Sequence, residues 1–324
     1  MNAASSPATA LLFPGQGSQK VGMGRALHDA DAGARALFAE ADAVLGYPLS
    51  RICFEGPEAE LTATANAQPA ILTVSLAALG FLRARTAAAV APMAVAGHSL
   101  GEYSALVATG ALRFADAVRL VHLRGKFMQE AVPAGVGAMA AILGLAADEV
   151  AAACREAAGA EVVSPANLNG GGQVVIAGHK AAVERACAAA KARGAKRAVP
   201  LAVSAPFHCS LMQPAADRLA AELERIEVAA PQVPVVTNVE AAPNQDPTRV
   251  RELLTRQVTA PVRWEESVER LASMGVTRAI EVGAGNVLAG LVRRIAPAIT
   301  TASAGDPDAI VARATNAVED RAHA

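Results

Sequence analysis

The sequence predicts an α/β fold in which a large domain on a parallel sheet carries an inserted ferredoxin-like (βαββαβ) small domain. Three observations predict it. Short apolar runs alternate with helical patterns over residues 1–130 and again after Pro206; the stretch between reads β-α-β-β-α-β; and Ser99 sits between Gly97 and Gly101 where an apolar run meets a helix. The 324 residues suffice for about two domains. With 53% hydrophobic but only 3% aromatic residues, the core must be built from small aliphatic side chains packed closely.

In chain order, a strand is expected at Ala10–Phe13, helices through 24–45 and 68–84, a strand at Met93–Ala96, and helices from Leu100 and from Phe114. Residues 137–203 then supply strand GAMAAILGL, helix DEVAAACREAA, strand EVVSPANLN, a turn at Gly170–Gly172, strand QVVIAG, helix KAAVERACAAAKARG and strand KRAVPLAV. Beyond Pro206 come helix 211–225, strand Val233–Asn238, helices 246–257 and 264–274, strand Arg278–Val282 and helix 286–294. The large domain is assigned residues 1–132 and 204–324, the inserted domain residues 133–203. Residues 303–324, rich in alanine, read as a peripheral tail.

A formal charge of −1 argues against a surface selected for a phosphate backbone, so no nucleic acid partner is expected. The four cysteines are scattered with no C-x-x-C pair, which fits a reducing compartment and no structural zinc. The N-terminus lacks a basic segment followed by a long apolar one, and the uncharged run 131–147 is broken by Pro133, Gly135, Gly137 and Gly144. A cytoplasmic protein without a membrane segment is expected.

The segment MAVAGHSLGEYSALVATG has the form of a nucleophile elbow: a strand turns sharply into a helix, and small residues at −2 and +2 let the Ser99 hydroxyl stand clear of the backbone. The plain alternative is a serine capping the helix from Leu100. The helix start offers the Leu100 N–H as an oxyanion donor, and the tight Gly15-Gln16-Gly17 turn after the first strand offers the Gln16 N–H as a second, unless PGQGS is merely a turn.

A serine nucleophile needs a base. Of six histidines, His98 adjoins Ser99 but projects away at an elbow; His122 lies mid-helix, His28 and His179 look like surface or cap positions, and His323 is in the tail. His208, in VSAPFHCSLMQP, follows the last strand of the inserted domain in a proline-turned loop, where catalytic side chains commonly sit. No acid presents itself in hydrolase order to hold it; Glu281 ends a strand too late in the chain and is expected to pair locally, leaving a carbonyl to orient the imidazole.

Arg124 is the unusual charge. At 100° per residue it lies within about 60° of Ala117, Leu120, Val121, Phe127 and Met128, the centre of the apolar stripe. An inward guanidinium needs an anion, either a structural carboxylate or a substrate; a carboxylate on the acyl group would make the substrate malonyl-like.

FPGQGSQ, GHSLGEYSAL, RGKFMQ, NLNGGGQVVIAG, APFHC and QVTAPVRW occur in the order seen in malonyl-CoA:acyl carrier protein transacylases of bacterial fatty-acid synthesis, and the resemblance spans roughly residues 10 to 300. It implies a hydrolase-like α/β domain carrying the ferredoxin-like small domain, with Ser99 as nucleophile, His208 as base, Gln16 and Leu100 as oxyanion hole, Arg124 as holder of the malonyl carboxylate, and Gln257 as the residue whose main-chain carbonyl orients His208. Phe207 resembles the malonyl-selecting version of its loop. The implied reaction is ping-pong transfer of malonyl from malonyl-CoA to the phosphopantetheine thiol of acyl carrier protein, with no metal or other cofactor. An acidic carrier should meet a basic surface, and Lys191, Arg193, Lys196 and Arg197 are candidates, a solvated helix end being the alternative. Rival readings are a serine hydrolase, an acyltransferase for another acid, and a catalytically idle carrier-binding subunit.

Overall fold

The computed structural model describes residues 7–86, 91–203 and 205–311. Among these, six strands form one sheet: β1 (Thr9–Phe13), β2 (Ala94–Gly97), β7 (Val235–Val236), β8 (Pro243–Asn244), β9 (Arg278–Val282) and β10 (Thr300–Ala304), in the order β10-β9-β1-β2-β7-β8. All neighbours are parallel except the terminal β7–β8 pair. The second sheet holds β3 (Gly137–Leu143), β4 (Val163–Gly170), β5 (Gln173–His179) and β6 (Arg197–Pro200), antiparallel in the order β4-β5-β3-β6. With helices Ala147–Ala158 and Lys180–Ala192 between its strands, this is the ferredoxin-like arrangement.

The alternation of side chains along each strand explains the packing. Leu11, Phe13, Val95 and Ile280 enter one buried cluster, while Ala10, Leu12, Ala94, Ala96 and Ala279 enter another on the opposite face with Trp264 and Leu291. In the small sheet, Ala140, Ile142, Val174 and Ile176 pack under its two helices; Met139, Ala141, Val175 and Ala177 face the large sheet's core. Both faces of β3 are therefore covered, which is why its sequence is apolar throughout. The small sheet is also tied through backbone to the segment between helices Pro247–Thr259 and Trp264–Ser273: Leu168 N–H donates to Val262 O at 2.9 Å and Val262 N–H to Ala166 O at 2.9 Å.

Several expectations are corrected. Residues 303–304 are not tail: they end β10, which pairs with β9 in register Thr300 to Arg278 through Ala304 to Val282. The strand expected at Val233–Asn238 is reduced to two residues, because Thr237 N–H turns to Ala242 O and Asn238 is used elsewhere. Short helices at Leu49–Glu55 and Glu58–Thr62 were not foreseen. The helix Thr64–Thr86 contains a stretch, Thr64–Arg85, long and apolar enough to cross a membrane by length and composition; 83% of its most apolar window is buried inside the protein, as a core helix. Glu281 does pair locally, its Oε2 accepting from Ala289 N–H at 2.8 Å at the start of helix Val287–Ile295.

Two glycines let the helix Gly101–Ala108 lie against the central strands. A Cβ on Gly97 would stand 2.0 Å from Gly101 C and O, and one on Gly101 would stand 2.1 Å from Phe13 O. Neither neighbour is a movable side chain. Gly101→Ala is therefore expected to cost about 1–3 kcal/mol by overpacking, read as a lowered melting temperature. An unchanged melting temperature would show that the helix has room to retreat.

Candidate active site

β1 and β2 run parallel with Phe13 opposite Gly97, so the loops leaving both strands emerge side by side at the carboxyl edge of the sheet. Ser99 stands between β2 and the helix Gly101–Ala108 at φ 53°, in the left-handed region that a residue with a side chain enters at a cost. Hydrogen bonds hold it there. Asn238 Oδ1 accepts from Ser99 N–H at 2.7 Å, Asn238 Nδ2 donates to Gly97 O at 2.7 Å, and Gln257 Nε2 donates to Ser99 O at 3.1 Å.

His208, also left-handed at φ 58°, brings Nε2 to 2.8 Å from Ser99 Oγ. Its Nδ1 lies 2.8 Å from the Gln257 main-chain oxygen. A carbonyl only accepts, so the proton is assigned to Nδ1, leaving Nε2 free to accept from the serine hydroxyl. Burial, followed by the positive charge of Arg124, pushes the imidazole down to about 3, although the Gln257 carbonyl pulls the other way.

Arg124, on helix Phe114–Glu130, points inward as the helical arc requires and is only 2% exposed. Gly125 allows this helix to approach the start of helix Thr64–Thr86, since a Cβ there would meet Thr64 O at 2.5 Å. Gln68 is thereby placed to accept from Arg124 Nη1 at 2.7 Å. Nη2 donates to Ser99 Oγ at 3.0 Å and to Gln257 Oε1 at 2.9 Å, and Nε is buried without a partner. Among the described residues every hydrogen-bond partner of Arg124 is uncharged, so the structural ion pair left open by the sequence is not formed.

Behind Gln257 lies a carboxylate that sequence reasoning missed. Glu102 Oε2 accepts from Gln257 Nε2 at 2.8 Å and from Asn238 N–H at 3.0 Å, and burial pushes this carboxyl up to about 7. Asn238 and Gln68 were also missed. Glu102 had a signal: it is the lone charge in GEYSALVA, the same inward-charge argument that singles out Arg124.

These groups open on a cavity of about 400 Å³ lined by Gln16, Arg124, Met128, Phe207 and His208 among others. The Gly15–Ser18 turn closes with Ser18 N–H on Gly15 O at 3.4 Å and with Gly17 at φ 101°, a backbone suited to glycine. Gln16 sits inside that turn, with its N–H not used by the closing bond, and Leu100 precedes the first helical turn, where N–H groups lack helical acceptors.

The other described histidines make their hydrogen bonds elsewhere, although His98 also lines the cavity. His98 Nε2 lies 2.9 Å from Asn169 Oδ1 with its ring against Trp264, His122 Nδ1 meets Ala65 O, His179 Nδ1 accepts from Val162 N–H, and His28 lies beside Asp29. His323 falls outside the described residues. In the basic patch, Lys191, Lys196 and Arg197 are exposed, but Arg193 is already paired with Glu149 at 3.2 Å and Glu156 at 2.7 Å.

Residues 10–319 match the acyl transferase domain family. The chain is 54% identical over 303 residues to the malonyl CoA-acyl carrier protein transacylase of Escherichia coli (strain K12), covering 94% of this chain and 97% of that protein. It is 48% identical over 302 residues to that of Bacillus subtilis (strain 168), covering 93% and 94%. Among solved structures it superposes on the Coxiella burnetii transacylase with a TM-score of 0.93 at 42% identity, covering 97% and 99%. A malonyl-transacylase solved in complex with a type II PKS acyl carrier protein gives 0.92 at 50% identity, covering 95% and 99%.

Since His208 is held near 3, well below an ordinary histidine at 6.5, the imidazole is neutral at any pH well above that value. Modification of Ser99 by a neutral phosphonofluoridate is thus expected to keep its rate from about pH 7 down to about pH 5. A sigmoidal fall centred on the ordinary histidine value would contradict this environment.

Proposed function

The chain belongs to the acyl transferase domain family and, within it, to the malonyl-CoA:acyl carrier protein transacylases, and from that premise we propose that Ser99 carries the malonyl group between the two thiols. The protein is an acyltransferase that moves malonyl from malonyl-CoA to acyl carrier protein. The observation that carries the residue assignment is the convergence of His208 Nε2 and Arg124 Nη2 on one Ser99 Oγ, at 2.8 and 3.0 Å.

In the first half-reaction Ser99 Oγ attacks the thioester carbonyl while its proton passes to His208 Nε2. The developing oxyanion takes the Gln16 and Leu100 N–H groups, the C–S bond breaks, and His208 returns the proton to the departing CoA sulfur. In the second, the phosphopantetheine thiol gives its proton to His208 and attacks the malonyl ester, and Ser99 leaves as the hydroxyl. Arg124 takes the malonyl carboxylate, which replaces Ser99 Oγ as the acceptor at Nη2. This also acts on the base: a bound carboxylate offsets the Arg124 charge that depresses His208, raising its affinity for the proton it must accept. Phe207 and Met128 narrow the acyl end of the cavity against an α-branch. Acyl exchange between thiol and hydroxyl needs no redox or Lewis-acid step, so the proposed reaction uses no cofactor beyond its substrates. The four free cysteines agree with a cytoplasmic setting, and the division at 133–203 follows the separate antiparallel sheet.

Incubated with malonyl-CoA and no acceptor, the protein is expected to gain one malonyl group in intact mass, with Ser99→Ala gaining none. Release of CoA without any adduct would favour a hydrolase. Arg124→Ala is expected to lower acylation by malonyl-CoA about 100-fold or more while acylation by acetyl-CoA falls far less; equal losses would remove the carboxylate clamp.

For the carrier, the exposed Lys191, Lys196 and Arg197 remain as the proposed docking charges, Arg193 being occupied. Lys191→Glu combined with Arg197→Glu is expected to slow transfer to the carrier about tenfold at low salt and leave malonylation of Ser99 unchanged. The same loss in both half-reactions would place the carrier elsewhere.

A further inference from the structure

Among the buried ionisable groups that the mechanism above does not use, Glu102 stands directly behind the site. Glu102 is 2% exposed, and a single oxygen, Oε2, receives both Gln257 Nε2 at 2.8 Å and Asn238 N–H at 3.0 Å. The first of these donors passes on to Arg124: with Nε2 committed to Glu102, the Gln257 amide must present Oε1 to Arg124 Nη2, which it does at 2.9 Å. The second passes on to the nucleophile, since Asn238 holds Ser99 N–H and Gly97 O. From this placement we infer that Glu102 is a positioning residue that sets how strongly the site prefers a carboxylate-bearing acyl group, by fixing the Gln257 amide and by standing as the counter-charge to Arg124 at one residue's remove. The inference rests on the proposed acylation of Ser99 by malonyl-CoA.

The remove is what matters. A carboxylate in direct contact would saturate the guanidinium and compete with the substrate. One separated by the Gln257 amide leaves Nη2 to face the cavity and still offsets part of its charge, as the mutual influence of the two groups on each other's protonation reflects. The other titratable group facing Glu102 is Tyr103 on its own helix, which burial keeps neutral; Asn238 and Gln257, from the other elements packed against it, carry no charge. Burial raises the Glu102 carboxyl to about 7. Its charge is therefore absent below that pH and present above it. With the charge absent, Arg124 attracts a malonyl carboxylate more strongly and, in the empty clamp of an acetyl substrate, depresses His208 more.

The test is the ratio of acylation rates, malonyl-CoA over acetyl-CoA, measured as Ser99 adduct formation without a thiol acceptor between about pH 6 and about pH 8.5. In the wild type the ratio is expected to fall about threefold or more across this range as Glu102 ionises. Glu102→Gln keeps an oxygen for the two donors but never ionises. Its ratio is expected to stay at the acid-side value throughout, and the variant to match the wild type in melting temperature at the acid end. A wild-type ratio that does not change with pH overturns the inference, whether or not the variant folds. So does a folded Glu102→Gln with the wild-type profile. Loss of the malonyl adduct from the wild type itself would overturn the proposed function instead, and this inference with it, so the two failures are told apart by the adduct.

Discussion

The site is organised around a buried guanidinium that, among the described residues, has no carboxylate on it. Arg124 is 2% exposed, and its hydrogen-bond partners are the side chains of Gln68, Gln257 and Ser99. An unpaired buried charge costs several kcal/mol, and hydrogen bonds to uncharged acceptors offset only part of that. Much of the surrounding construction answers this cost. Gln68 is delivered by a helix brought close through Gly125. Gln257 donates to Glu102 so that its oxygen is left for Arg124. Ser99 Oγ completes the set, so the nucleophile itself occupies the place the proposed mechanism assigns to the substrate carboxylate. The site is held in a high-energy electrostatic state that, in the proposed mechanism, an incoming carboxylate relieves.

Geometry supports the electrostatics through the strand ends. The register Phe13 to Gly97 aligns the two central strands so that their outgoing loops meet, and the near contacts at Gly97 and Gly101 seat the elbow helix directly behind Ser99. The small sheet then closes the cavity from the other side: Met139 of β3 and Leu201 to Val203, just after β6, line it, and the chain continues from there to His208. The chain thus runs from Ser99 through this sheet to His208, whose Nε2 comes back to 2.8 Å from Ser99 Oγ. The Val262 backbone, bonded to β4 on either side, ties the sheet to the segment that follows Gln257, whose carbonyl orients His208.

Strands whose neighbours sit in the core were legible, because burial leaves a local signature in apolar periodicity; β9 falls at Arg278–Val282 as expected. β10 was not, because TTASA has small, half-polar side chains and becomes a strand only through its register with β9, a pairing distant in sequence. The same division runs through the site. Ser99 carries its elbow, His208 its proline-turned loop and Arg124 its helical arc, each a pattern local to one segment. Asn238 has none: it lies after a strand of two residues, and its role exists only because Ser99 N–H and Gly97 O come to it from far along the chain. The His208 orienter is hidden for another reason. It is the main-chain oxygen of Gln257, and any residue could supply a carbonyl there; the resemblance to known transacylases, rather than the chemistry of the side chain, identified it.

One charge thus has two consequences that pull together. A clamp that bound the malonyl carboxylate equally in the ground and transition states would lower KM and leave kcat alone. Arg124 does more, because its positive charge is also what depresses His208 after burial itself. When the clamp is empty the base is poor. In the proposed mechanism a malonyl carboxylate fills it, the local charge is offset and the imidazole can hold the serine proton at lower cost, so binding energy at the acyl tail is converted into basicity at Nε2. A short acyl group with no carboxylate reaches Ser99 but meets a detuned base. On that proposal, discrimination is moved from the binding step into the chemical step, where affinity for the shared CoA portion cannot dilute it. That is the useful place for it in an enzyme whose substrates differ only at the acyl end.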